Sequence, residues 1–433
     1  MATDPVAAAE SAMALLRAQR FDELEAMFAP RLRAAVSAQT VAVAWTTELA
    51  RVGAVGETGA GLGEPGPEGL VRVRIPVICA RGGLTVVFAV DAAGALHGFR
   101  LAAAGGDWTP PPYARGRHTE HEVTVGEAPR AVPGTLTLPG GRGPHPAVVL
   151  LASGPTDRDA TTGPNKPFKD LAHGLATRGI AVLRFDKLTL VHGEAAADSG
   201  FTMAEEYLPH AISAVRQLQR HPRVDPARVF VAGHSGGGKA APRVAAAEPS
   251  IAGVAILSGD TIPLPRAVIR VARYLADLDP GENATATVES LSAQAAATES
   301  PDLAPDTPAT GLLFGWPASY WLDLRGYDQV ATAAALDRPI LIVQGGRDYQ
   351  VTAAEDLPRW QAGLEHHPHT TFRLHASIDH MLFPGTGPST PADYQRPQHV
   401  DESVITDIAD WIGPTPRTRG GKWSGWGKGF GSR

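Results

Sequence analysis

Apolar residues in the first fifty positions recur at helical spacing, Phe21, Leu24 and Phe28 among them. Residues 5 to about 52 are therefore expected to form short amphipathic helices, interrupted at Pro30. The pattern then turns to alternation. Val71, Val73, Ile75 and Val77 share one face of a strand and Leu84, Val86 and Phe88 one face of the next, with turn signals at Gly82-Gly83 and Ala93-Gly94. Residues 1–104 thus read as a small α+β N-terminal domain, and Gly105-Gly106 with Pro110-Pro111-Pro112 mark the linker out of it.

From about residue 118 short apolar strands alternate with helices. The strands run from Ala147 to Leu151, Ile180 to Phe185, Val229 to Ala232, Ile251 to Leu257, Ile340 to Val343 and Thr371 to Leu374. This βαβ rhythm predicts an α/β domain over 118–413, built on a mostly parallel sheet. Thr202 and Glu205 form a capping box at the head of a helix that carries Tyr207, Ala211, Val215 and Leu218 on one face. A second helix, Phe168 to Arg178, ends at Gly179. The rhythm breaks over 262–337, where a helical stretch from Val268 to Leu275, an Ala/Thr-rich piece and the aromatic group Trp316, Tyr320 and Trp321 predict a helical cap. Residues 414–433 are rich in Gly and carry five basic and no acidic residues, the pattern of a flexible basic tail.

Composition narrows the class. Apolar residues make up 43% and charged residues 19%, enough to bury a large core, and the formal net charge of −6 offers no field for nucleic acid or anionic lipid. Neither is expected as a partner. The single cysteine, Cys79, excludes a disulfide framework and reads as a small buried residue of a strand. Met1 to Leu15 has no basic start and no continuous apolar stretch, and no apolar run approaches a membrane span; a cytoplasmic protein is expected.

Gly233-His234-Ser235-Gly236-Gly237 lies directly after the strand Val229 to Ala232 and before the helix-compatible run Lys239 to Ala247. A bare G-x-S-x-G is a weak signal, but between strand and helix it marks a nucleophile elbow, which presents a serine hydroxyl on a strained turn. Serine needs a positioned base, so a His and an acid must follow, in this fold in the order Ser, acid, His. Asp348 closes the segment from Ile340 and so sits at the carboxyl end of a buried strand; Asp356 and Asp328 are weaker candidates. His380 lies in the loop after the last strand, ahead of the helix Val400 to Trp411. The oxyanion donors expected are the backbone N–H groups of Gly236 and of Ser153, in the loop Ala152-Ser153-Gly154-Pro155. His366, His367 and His369, like His118 and His121, lack the spacing of a metal site, and neither metal nor cofactor is expected. Gly233 to Lys239 also approaches a phosphate-binding loop, but Ala240 stands where a Mg²⁺-holding hydroxyl belongs.

Several blocks carry a resemblance: Ser153-Gly154-Pro155-Thr156-Asp157-Arg158-Asp159, Asn165-Lys166-Pro167-Phe168-Lys169-Asp170-Leu171, Val182-Leu183-Arg184-Phe185-Asp186-Lys187, the elbow, Tyr320-Trp321-Leu322-Asp323-Leu324, Gln344-Gly345-Gly346-Arg347-Asp348-Tyr349-Gln350-Val351 and Gly385-Thr386-Gly387-Pro388-Ser389. In these, over nearly the whole chain except the basic tail, it resembles bacterial α/β-hydrolases described as esterases or acyl hydrolases, which carry a small N-terminal domain. The resemblance implies an α/β-hydrolase fold and a Ser235–Asp348–His380 triad, in agreement with the strand-order argument. The chain departs from many relatives in having Leu151-Ala152 ahead of the Ser-Gly-Pro run and Gly236 directly after the serine. The function expected is cleavage of a carboxylic ester or related acyl bond, on a small-molecule acyl substrate, through an acyl-enzyme on Ser235. Acyl transfer, peptide cleavage or cyclisation by the same triad is the alternative, and a non-catalytic binding protein on a hydrolase scaffold the alternative of another class. Oligomeric state is not legible.

Overall fold

The computed structural model describes residues 4–66, 69–80, 82–103 and 108–413. The expected tail, Gly105-Gly106 and residues 1–3 lie outside them.

Helices α1 (Pro5–Arg17), α2 (Phe21–Ala26), α3 (Pro30–Ala35) and α4 (Ala38–Val52) lead into an antiparallel sheet of β1 (Val55–Thr58), β2 (Leu62–Pro65), β3 (Val71–Cys79), β4 (Gly82–Val90) and β5 (Leu96–Ala103). In β3, residues 73, 75, 77 and 79 are buried and those between are exposed, so one face packs on the helices through Met13, Leu16, Val41 and Trp45. Two details differ from the sequence pattern. Gly82 and Gly83 are strand residues paired with Cys79 and Ile78, so the β3–β4 ladder extends through both glycines. Phe28 lies outside the helices, bridging to Leu96, and Pro30 begins α3, where its missing N–H costs nothing.

The chain then builds an eight-stranded sheet. An antiparallel pair, β6 (His118–Val125) and β7 (Val132–Pro139), is followed by β8 (His145–Leu151), α5 (Pro167–Ala176), β9 (Ala181–Phe185), the short α6 (Leu188–Val191), α7 (Met203–Gln219), β10 (Val224–His234), α8 (Gly236–Ala247) and β11 (Val254–Leu257). Between β11 and the rest lie α9 (Leu264–Leu278), α10 (Glu282–Glu299), α11 (Ala318–Gly326) and α12 (Gln329–Ala334). The strands β12 (Ile340–Gly345) and β13 (Thr370–His375) flank α13 (Asp356–Gly363), and α14 (Glu402–Ile412) closes the fold. Strand order is β6-β7-β9-β8-β10-β11-β12-β13, parallel from β9 to β13.

The apolar run of β8 is buried along its whole length because both faces are covered. Ala147, Val149 and Leu151 join the core under α7 and α8, while Val148 and Leu150 join the one under α5 and α14. At the β6 edge the strand is polar on both faces from His118 to Glu122, and its Glu120 accepts from the buried Arg184 of β9 at 2.7 Å. The carboxyl ends of the parallel strands share one edge, and there the loops after β8, β10, β12 and β13 meet. Among the described residues, no helix is long and apolar enough to cross a membrane.

Candidate active site

The chain leaves β10 at His234 and enters α8 at Gly236, with Ser235 alone between them at φ 55° and ψ −121°. That conformation costs a non-glycine residue roughly 1–3 kcal/mol. It is held by the Ser235 N–H, which donates to Leu257 at 2.9 Å, and by the Ser235 carbonyl, which accepts from Lys239 at 3.0 Å. The turn is this tight only because its neighbours lack side chains. A Cβ at Gly233 would lie 2.0 Å from the Gly237 carbonyl oxygen, and one at Gly237 would lie 2.0 Å from that of Leu151. The same packing fills the space a phosphate-binding loop would keep open, and Lys239 turns instead to Asp260, 2.5 Å away.

Asp348 follows β12 and is buried. Its Oδ1 accepts from the backbone N–H groups of Gln350 and Val351, both at 2.8 Å, and its Oδ2 accepts from His380 Nδ1 at 2.9 Å. Three donors fix this carboxylate, and it in turn fixes the imidazole with the proton on Nδ1, leaving Nε2 as an acceptor. Burial by itself would lower the His380 pKa. The charge and hydrogen bond of Asp348, with Asp379 and Asp260 adding, outweigh that and raise it above the usual value. Ser153, Ser235, Gly236 and His380 line one cavity of about 1730 Å³. Ser153 lies close to the elbow: its Oγ would be 2.9 Å from a Cβ built on Gly236.

Around this group the structure assembles residues the sequence did not single out as site residues. Tyr207 reaches the same point from α7, its hydroxyl 3.2 Å from the Cβ position of Gly236; burial, then the charges of Glu206 and Asp260, hold its pKa well above the ordinary phenol value, so it keeps its proton. Lys187 lies 3.0 Å from Glu206 and 3.2 Å from the centre of the Tyr207 ring, and the Tyr320 hydroxyl donates to Glu206 at 2.6 Å. Lys239, a cation in a helix otherwise rich in Gly and Ala, was the one available signal of a buried polar cluster. Asp356, passed over as a catalytic acid, is fully buried and accepts from the N–H groups of Thr261, Ile262 and Thr352, so it ties the start of α9's segment to α13. Asp328 caps α12.

No family model matches the chain. It is 32% identical over 406 residues, 92% of each chain, to the esterase EstD of Thermotoga maritima. The chain belongs to this family of esterases. The fold agrees: the mostly parallel sheet with helices on both faces is an α/β-hydrolase core. Solved structures similar to this esterase-family chain include an esterase of Pyrococcus furiosus, 16% identical over 72% of this chain and 95% of that one with a TM-score of 0.44. Another is Est1E from Butyrivibrio proteoclasticus, 15% identical over 68% of this chain and 99% of that one, with a TM-score of 0.45.

Proposed function

We propose that the protein hydrolyses a carboxylic ester through an acyl-enzyme on Ser235. The observation that carries this reading is that His380, 2.9 Å from the buried Asp348, lines the same cavity as the strained Ser235. Neutral His380 takes the hydroxyl proton on Nε2 as Ser235 Oγ bonds to the ester carbonyl carbon, and the electron pair of the C=O bond moves to its oxygen. The N–H groups of Gly236 and Ser153 are the donors proposed for that oxyanion. Collapse expels the alcohol, which leaves with the proton from His380. Water, deprotonated by His380, then attacks the acyl-enzyme and releases the acid and free Ser235.

Membership in an esterase family supports the bond class, and the rigid carboxylate–imidazole pair supports the mechanism. A fluorophosphonate probe tests it: the protein should be labelled at Ser235, and Ser235→Ala should lose both labelling and turnover across an ester screen. A protein that hydrolyses no ester and takes no label would be a binding protein on this scaffold.

A further inference from the structure

Helix α9 is amphipathic in the wrong sense for a structural element. Leu264, Val268, Val271, Ala272, Leu275 and Leu278 fall within an arc of roughly 120° at the α-helical repeat, and all six line the cavity that holds Ser235. Only Pro265 and Ala267 of this helix are buried. Leu264 and Val268 brush the small core of the cap, whereas Val271, Ala272, Leu275 and Leu278 pack against none of the described hydrophobic clusters. Ile269 adds a contact with the cap core, and the polar side anchors the helix to the loop after β12 and to α13. Arg270 donates to Glu355 at 2.7 Å, to the Gln350 carbonyl at 2.7 Å and to Asp356 at 3.2 Å; Tyr274 stacks on Tyr349 and donates to the Ser389 carbonyl at 2.8 Å. A helix that served only to cover the core would turn its leucines and valines inward.

Resting on the ester-hydrolase reading, we infer that this stripe binds a long unbranched alkyl chain on one side of the scissile ester bond, so that the preferred substrate is a lipophilic ester. From Leu264 to Leu275 the stripe runs about 16 Å, the length of an extended chain of roughly thirteen carbons. The cavity, at about 1730 Å³, exceeds the roughly 300–1,000 Å³ usual for small-molecule sites. Ala284 and Leu291 of α10 line it as well. The charged groups at the serine end pair with each other, Lys239 with Asp260 and Lys187 with Glu206. They leave no unmatched charge to call for an ionic substrate.

Two ester series test the inference on the full chain, p-nitrophenyl esters from acetyl to hexadecanoyl and alkyl acetates from methyl to hexadecyl. In one of them kcat/KM should rise by about threefold to fourfold per methylene until the chain reaches roughly thirteen carbons. Which series rises tells whether the chain is acyl or alcohol. Val271→Asp should lower the ratio of decyl-length to two-carbon activity by at least about tenfold, and Ala272→Phe should move the optimum to shorter chains. Calorimetry of methyl decanoate and decyl acetate with Ser235→Ala separates binding from turnover. If one binds and Val271→Asp abolishes it while the wild type cleaves no ester, the channel stands and the proposed function falls. Short-ester turnover with an optimum at two carbons in both series, or equal losses on all esters in the variants, would overturn the channel and leave the proposed function intact.

Discussion

His234 donates from Nε2 to the backbone carbonyl of His380 at 2.6 Å, and the two rings lie 4.8 Å apart. The residue preceding the elbow serine thus holds the loop that carries His380, the proposed base. Burial first, and then the neighbouring His380, push the His234 pKa down to about 4, so near neutral pH it is an uncharged donor. His234→Phe keeps the ring's volume beside Phe168 and removes the bond. It should lower kcat by about tenfold to a hundredfold, the scale of a small misplacement of a catalytic group. Rapid kinetics should show KM little changed and the acid limb of the pH profile in place; a His234→Phe enzyme with full kcat would show that the loop needs no such tether.

The pH profile follows from the His380 surroundings. Burial lowers its pKa, but Asp348, Asp379 and Asp260 together raise it, so activity should be lost as pH falls through a midpoint above about 6.5, the ordinary histidine value. Removing the Asp348 charge leaves burial in place, so in Asp348→Asn the limb should move to lower pH. Burial pushes the carboxyl of Asp379 up to about 6; its neutralisation in the same range should broaden the limb. The measurement is kcat/KM against pH, which reports the free enzyme. An Asp348→Asn limb that stays in place or moves upward would contradict the pairing.

Asp348 and His380 should also fail as one unit. Asp348→Asn ought to reduce kcat by orders of magnitude with a smaller change in KM, because the acid acts on the transition state through the imidazole. Added to His380→Ala it should cost little more, since an orienting carboxylate then has nothing to orient. Additive losses in that double-mutant cycle would mean that one of the two acts elsewhere.

The parallel strands and the strained turn at Ser235 were legible because each rests on a local signal: an apolar run, a pair of flanking glycines between strand and helix. The antiparallel β6 and β7 were not, since His118-Thr119-Glu120-His121-Glu122 carries polar side chains on both faces and their partners, among them Arg184, are far away in sequence. Glu206 hid for another reason. An acid in the first turn of a capped helix reads as ordinary dipole compensation, and only the fold brings Lys187 and Tyr320 to it. The inward-facing stripe of α9 was visible as helical periodicity, but which side of the helix met protein and which met the cavity depends on tertiary anchors such as Arg270.

The N-terminal helices and sheet close their own core: Trp45, Phe88 and their neighbours belong to a cluster that shares no residue with the two cores flanking the eight-stranded sheet. A chain starting at Trp108 should therefore fold and keep its Ser235 label. The starting point matters. Trp108 donates from Nε1 to the buried Asp170 at 2.8 Å, and Lys169 sits 4.7 Å from its ring centre. Burial raises the Asp170 pKa despite bonds from Val400 and His399, so this carboxylate needs each donor it has. A chain starting at Pro110 instead should be less stable by about 1–3 kcal/mol, the cost of stripping a partner from a buried polar group. Denaturant melts of the two truncations would show the difference as a shift in midpoint with the slope unchanged. Thr46, in α4, lines the cavity that holds Ser235, so the ester-length profile of the chain starting at Trp108 should change more than its activity on a two-carbon ester. Aggregation of that chain, or loss of labelling while it stays folded, would mean that the N-terminal part completes the core or the site.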